Sequence, residues 1–406
     1  MTFTMSVPGR WFVKSVEVEG LGGRTQTYRQ ELNPDVNIFF GLNGSGKTTL
    51  LKILHASLTE EVSSLVGAPF TSAKVEISAP EENMIFTRSF SAPEEESLEQ
   101  AMRRIMPVGS RGRLAFRPSP RAERMLQEAF SWTTDVSKGG VKQDKLSGKN
   151  FRLLLDFSHR YLPTSRLSDS RDASSMESGD RTFDEYFADS IQRLWSTYSA
   201  EVLGAVRRAQ EEGLGRILSG VISPEESRHL DSQEFDPDRA FSRVASFMQR
   251  RGSARLIRDK GEFLKRFEED AAFKRVVLDI NEVEEQIERA LEPRTKLQDL
   301  VSRLISGPKQ IDFQDSRIRA ISADNKDIFL ERLSSGEKQL IRILIEALAA
   351  AGNPIIIDEP ELSMHIDWQL VLIESIRTID EASQVITATH SPEIMANIED
   401  EKIFRL

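Results

Sequence analysis

Four short segments carry residue types that packing alone does not ask for. The first, GLNGSGKT (Gly41–Thr48), places three glycines around a lysine and a threonine, directly after the apolar run VNIFF. Glycine gives up conformational entropy on folding and buries no side chain, so a loop this rich in it serves for its bare backbone. The spacing is that of a phosphate-binding loop, G-x-x-x-x-G-K-[ST]. In such a loop the amide N–H groups turn inward around a phosphate, and the following helix aims its positive end at the same anion. Lys47 then reaches the β- and γ-phosphates, and the Thr48 hydroxyl binds Mg2+. Gly41, Asn43, Gly44, Ser45, Gly46 and Thr49 complete the cradle. A plain glycine-rich turn is the competing reading, and the strand and helix flanking the loop argue against it.

The second segment, PIIIDEPEL (Pro354–Leu362), is an apolar strand ending in adjacent carboxylates. Asp358 is placed to enter the magnesium shell, and Glu359 to polarise a water for attack on the γ-phosphate. Alone, a buried strand with a solvated acidic end is as good an account. The third, LSSGEKQ (Leu333–Gln339), opens a helix with a serine–glycine turn, and Ser334 with the amides of Ser335 and Gly336 forms a second anion site. The competing account is a capping box, Ser334 as N-cap and Glu337 three residues on. Finally, ITATHSP ends a strand in His390, one of five histidines, placed to donate to the γ-phosphate or the attacking water.

The elements that must position these residues can be read from periodicity. WFVKSVEVEGL reads as a strand with TQTYRQEL as its hairpin partner, and VNIFFG as a buried strand entering the glycine loop. Leu50, Leu51, Ile53, Leu54 and Leu58 then mark one face of a helix. SAKVEISAP and NMIFTRSF read as a further hairpin. Residues 91–150 are polar, with Gly and Pro, and read as surface loops; FRLLLDFSHRYLPTSRL returns to a buried strand, and 168–181 is a low-complexity loop. From 183 to 305 the pattern is helical, with Leu264, Phe267, Phe273, Val277, Ile280, Val283, Ile287 and Leu291 at steps of three or four. The expectation is a short antiparallel pair, interrupted by LEPR (Leu291–Arg294) and too short for a long coiled-coil arm. After another hairpin-like stretch the chain alternates helix, strand, helix, strand and a short end.

Composition narrows the class. The net charge of −10 leaves nucleic-acid contact to local patches, of which Arg103–Arg124 is one, with seven arginines against one glutamate. A solvated loop or a contact for an acidic protein accounts for that stretch equally well. There are no cysteines, which excludes disulfides and thiolate zinc sites and suits a cytoplasmic location. No apolar run reaches the length of a membrane span.

In this order the four features resemble the ATP-binding-cassette ATPases: Walker A, signature, Walker B with a glutamate after the aspartate, and a switch histidine. The resemblance covers 11–58 and 311–406. The tail resembles the OLD and RecF/Rad50/SMC proteins, and IDEPELSMHIDWQ with YLPTSR resembles the stand-alone AAA ATPases of bacterial antiphage systems, of the Septu and retron type. Ser335 stands where cassette signatures usually have glycine. The resemblance implies an α/β head of mixed antiparallel and parallel sheets with flanking helices, plus an inserted helical domain. Its parts would be an N-terminal lobe at 1–182, the insertion at 183–305 and a C-terminal lobe at 306–406. It implies ATP and Mg2+, and a head-to-tail homodimer or higher homo-oligomer with two ATPs at the interface. Each ATP would be held by Gly41–Thr48 of one subunit and by Ser334–Glu337 of the other, with Glu361–Met364 as a D-loop along the interface. No aromatic is placed to stack on adenine, and Arg24 stands as the substitute. The Q-loop glutamine is not assigned, Gln100 lying in an unpatterned stretch. Arg166 either faces nucleotide or partner or is an ordinary surface arginine.

Three functions compete. One is a nucleotide-controlled clamp or sensor in antiphage defence, its nuclease being a separate protein because no TOPRIM nuclease domain fits after His390. The second is a repair or chromosome-maintenance ATPase, disfavoured by a short insertion and by the lack of cysteines for a zinc hook. The third, a transporter nucleotide-binding subunit, fits least, because far more sequence separates Thr48 from Gly336 than such a cassette needs.

Overall fold

The computed structural model describes residues 11–59, 61–94, 96–98, 100–101, 120–143, 158–164, 183–222, 237–250 and 259–406. The 168–181 loop, Arg166 and residues 103–119 of the arginine-rich stretch lie outside the described residues. The chain packs as two compact units, 195–296 and the remainder, with the boundaries inside two long helices.

The larger unit is built on two principal sheets. Strands β1 (Phe12–Glu19), β2 (Tyr28–Glu31), β4 (Ser72–Ala79), β5 (Met84–Ser91), β6 (Thr133–Lys138) and β7 (Val141–Gln143) form an antiparallel sheet in the order β2-β1-β4-β5-β6-β7. Its buried face is the alternate-residue set Val16, Val18, Val75, Ile77 and Phe86, as period two dictates. The second sheet is parallel throughout, in the order β14-β3-β13-β12-β8, from β3 (Val36–Phe40), β8 (Arg160–Leu162), β12 (Ile355–Asp358), β13 (Val385–Thr389) and β14 (Ile403–Arg405). Every residue of β12 (IIID) and β13 (VITAT) is buried, which is why neither shows the apolar–polar alternation of a half-exposed strand. Helix α1 (Lys47–Thr59) packs its Leu50, Leu51, Ile53 and Leu54 into the core shared by the two sheets. A small meander of β9 (Lys309–Phe313), β10 (Ile318–Ser322) and β11 (Asp327–Ile328) leads towards the C-terminal helices.

Three expectations need correction. Residues 91–150 are not all loop: helix α2 (Pro120–Ala129) and strands β6 and β7 lie there. Strand β6 buries only Val136, so it shows no apolar alternation. The short chain end supplies β14, whose three residues leave no readable period. The helical region is not a short pair. Helices α3 (Phe183–Ile222) and α6 (Ala271–Leu304) have 40 and 34 residues, with α4 (Pro237–Arg250) and α5 (Lys260–Glu269) between them. Pro293 lies inside α6 rather than ending it. The penalty of about 3 kcal/mol for an internal proline is outweighed by the good helix formers and apolar stripe around it. Within the 195–296 unit α3 and α6 run antiparallel, Arg294 lying over Trp195 and Arg216 pairing with Glu282. Among the described residues no helix is long and apolar enough to cross a membrane.

Candidate functional site

Register in the parallel sheet brings the chemical residues together. Phe40 aligns with Thr389, and Ala388 with Asp358, so β3, β13 and β12 end side by side. The residues just beyond those ends are the glycine loop, His390 and Glu359. The carboxyl edge of a parallel sheet is where open α/β folds take ligands.

The loop after β3 needs its glycines for space as well as for dihedral freedom. A Cβ on Gly41 would stand 2.6 Å from the Leu406 carbonyl oxygen, and Gly46, at φ 98°, would press one against Leu21. The turn at Leu21 and Gly22 packs against the loop backbone. Lys47 Nζ donates to the carbonyl oxygens of Gly41 and Leu42 at 2.8 and 3.2 Å, and to His390 Nε2 at 2.8 Å. An ammonium can only donate, so Nε2 accepts and the histidine proton lies on Nδ1.

Asp358 is buried at the end of β12. Its Oδ2 accepts the Thr164 hydroxyl at 2.6 Å, the Thr48 hydroxyl lies beside the same carboxylate, and Oδ1 is buried without a partner. Burial raises its pKa, against the pull of Thr164, Thr48 and Lys47. Glu359 Oε1 lies 3.6 Å from His390 Nε2, and burial followed by Asp358 and Glu361 raises its pKa. Burial lowers that of Lys47 despite the three carboxylates around it. Lys47, Thr48, Asp358, Glu359 and His390 therefore form one cluster. Among the described residues no group of three or more His, Cys, Asp or Glu side chains could hold a metal ion by itself. Thr48 and the unpartnered Asp358 oxygen fit a magnesium ion that keeps phosphate and water oxygens as its other ligands.

The Ser334–Glu337 turn is built differently. Helix α7 (Ser335–Ala350) starts with a complete capping box, Ser334 Oγ accepting from the Glu337 amide and Glu337 returning a carboxylate to the Ser334 amide. Lys309 pairs with that carboxylate at 3.0 Å. A Cβ on Gly336 would meet the Ser363 carbonyl oxygen at 2.5 Å, so the helix start lies tight against the turn after β12. Arg24 and Gln100 are exposed.

Sequence reasoning missed Thr164 and misjudged Glu361. Thr164 belongs to YLPTSR and reaches Asp358 only because β8 pairs with β12. Glu361, read only as part of an interface segment, accepts the backbone N–H of His390 at 2.7 Å.

Residues 24–195 match a family model described as an AAA domain, and residues 251–395 one described as an AAA ATPase domain. No curated protein matches the chain. Solved structures similar to it include the SMC head domain with an extended coiled coil, bound to the C-terminal domain of ScpA, from Pyrococcus furiosus. That one has a TM-score of 0.42 and 12 % identity over 95 % of this chain and 92 % of the other. Another is the SMC head with coiled coil and joint from Pyrococcus yayanosii, with TM-score 0.43 and 13 % identity over 97 % and 95 %. A third is the SMC head domain from Thermotoga maritima, with TM-score 0.39 and 12 % identity over 95 % and 91 %. The first matched stretch contains Gly41–Thr48, and the second contains Ser334–Glu337, Asp358, Glu359 and His390.

Proposed function

We propose that this chain is an ATPase of cassette type whose ATP-bound form pairs two copies and whose hydrolysis releases them. The observation that supports it best is the convergence of Lys47, Asp358, Glu359 and His390 at the carboxyl ends of three adjacent strands. In this reading the backbone of Gly41–Thr48 and Lys47 hold the phosphates, while Thr48 and Asp358 hold Mg2+. The bound ion supplies positive charge against the charge that develops on the transferred phosphoryl group. Glu359 orients the attacking water and takes its proton, a role its raised pKa suits. His390 stands between Lys47 and Glu359 and holds the water or the γ-phosphate in line.

Dimerisation through Ser334–Gly336 of a second copy rests on the cassette resemblance of the four motifs, and service in antiphage defence with a separate nuclease on that of IDEPELSMHIDWQ and YLPTSR. The length of α3 and α6 favours a second setting, DNA repair or chromosome maintenance, since it removes the objection that the insertion is short. ATPase stimulation by DNA distinguishes the two.

The test is a pair of variants. Lys47→Ala should abolish ATP binding. Glu359→Gln should bind ATP normally, lose about 10²–10⁴-fold in turnover, and run as a dimer in ATP by light scattering. A Glu359→Gln chain that hydrolyses ATP at the wild-type rate refutes the assignment.

A further inference from the structure

The turn after β12 and the turn after β13 are tied to each other by two side chains that the proposed chemistry does not use. Glu361 Oε1 accepts the His390 N–H at 2.7 Å, and its Oε2 is buried without a hydrogen-bond partner. Gln369, in helix α8 (Ile366–Ile379), donates from Nε2 to the Met364 carbonyl at 2.9 Å and accepts from the Ser391 hydroxyl at 2.7 Å. Thr389 is the last residue of β13, so His390 and Ser391 are the first residues the sheet ladder no longer holds. The His390 N–H is instead held by Glu361, while the Ser391 N–H bonds to Thr389 Oγ1 at 2.9 Å and its hydroxyl has two acceptors at 2.7 Å, Gln369 Oε1 and Glu393 Oε2.

The choice of residue at 361 is informative. A third carboxylate here meets like charge from Glu359 and opposite charge from Lys47. A buried acidic oxygen without a donor adds a desolvation cost. Against this, a carboxylate is the strongest acceptor for one backbone N–H, about twice as good as a neutral one. A buried acceptor given to one backbone amide, that of His390, points to the placement of that residue.

We propose that Glu361 is a positioning residue: it latches the His390 backbone and thereby sets the imidazole between Lys47 and Glu359. Its effect on turnover rests on the ATPase reading; the latch itself does not.

The experiment uses untagged full-length chain labelled with 15N-histidine, which gives at most five backbone amide signals from five histidines. The His390 signal is identified by its loss in His390→Asn. Glu361→Ala should shift that signal upfield and speed its hydrogen exchange about tenfold or more, leaving the other histidines in place. Glu361→Gln, which keeps an acceptor, should shift it less; it also serves as the test should the alanine variant not fold. In steady-state assays Glu361→Ala should lower kcat about tenfold or more with KM for ATP changed less than about twofold, and glutamine should restore most of the rate. On a His390→Ala background Glu361→Ala should cost less than about twofold further. An unmoved His390 amide in both Glu361 variants overturns the latch, whatever the chain does with ATP. Losses that multiply on the His390→Ala background overturn action through His390. A wild type with a responsive amide but no ATP hydrolysis keeps the latch and discards the ATPase reading instead.

Discussion

Acid should weaken this fold through one half-buried pair of histidines. His55, just over two turns after Lys47 on α1, and His159, ahead of β8, face each other with Nδ1 and Nε2 2.7 Å apart. The His55 ring also stacks on Tyr161 at 4.5 Å. Two neutral imidazoles make one N–H···N bond here, and a proton on the accepting nitrogen would set two N–H groups against each other. Burial holds His55 down at about 4. It holds His159 well below the usual range, with His55, Arg160 and Arg88 adding to the effect. The unfolded chain therefore takes up these protons first. Stability is full above about pH 6.5 and is lost as pH falls towards the folded values. One unit below the ordinary histidine value each residue costs about 1.4 kcal/mol, so moving from pH 7.5 to 5.5 costs about 3 kcal/mol for the pair. Urea unfolding at those two pH values, on the wild type and on a His55→Gln, His159→Gln double variant, measures it. The variant keeps polar groups at both positions but cannot titrate there, so its pH-dependent loss should be smaller by about 3 kcal/mol. Equal losses in the two proteins would show that the histidines protonate freely in the folded chain and refute the reasoning.

Two further outcomes follow from close contacts. Thr164→Val removes the hydroxyl that donates to Asp358 at 2.6 Å and leaves a buried carboxylate one donor short. It should lower stability by about 1.5–3 kcal/mol in urea unfolding, and an unchanged midpoint would refute the bond's importance. Gly213→Ala would place a Cβ 2.0 Å from Val283 Cγ2 where α3 meets α6. The overpacking should cost about 1–3 kcal/mol by thermal unfolding, and adding Val283→Ala should recover most of it.

Local chemistry was legible in the sequence where the residues that act together are also neighbours in the chain. The glycine loop is contiguous, and the strand and helix that frame it are strongly patterned. The placement of Asp358, Glu359 and His390 at one sheet edge could be read because they end or directly follow fully buried strands. Thr164 could not, because its role depends on β8 lying next to β12, a pairing between segments nearly two hundred residues apart in the chain. Glu361 was assigned to an interface because its neighbours resemble a D-loop; only the meeting of two turns shows its bond to His390. Strands β6 and β14 were missed for a simpler reason. One buries a single residue and the other spans three, and neither leaves a period to find. The helical pair was underestimated because Pro293 was weighed as a stop without the favourable residues on both sides of it.

The adjacent carboxylates pose a geometric problem that the sequence hides. In an extended strand Asp358 and Glu359 would point to opposite faces of the sheet, so one of them could not serve the site. The structure avoids this at Glu359, whose φ of 49° is left-handed. A non-glycine residue there costs about 1–2 kcal/mol. The turn is held by the Glu359 amide bonding to the Ala388 carbonyl at 2.8 Å, by the Leu362 amide bonding back to Glu359 at 3.3 Å, and by Glu361 reaching His390. Both carboxylates consequently lie close enough to bear on the Lys47 charge, and Glu359 also faces His390. Strain of this kind persists where surrounding bonds over-determine it. Glycine would remove the strain together with the carboxylate. The geometry therefore favours keeping a side chain at this position in spite of its backbone, which is the expected pattern when the group there acts in the reaction and does not merely close a turn.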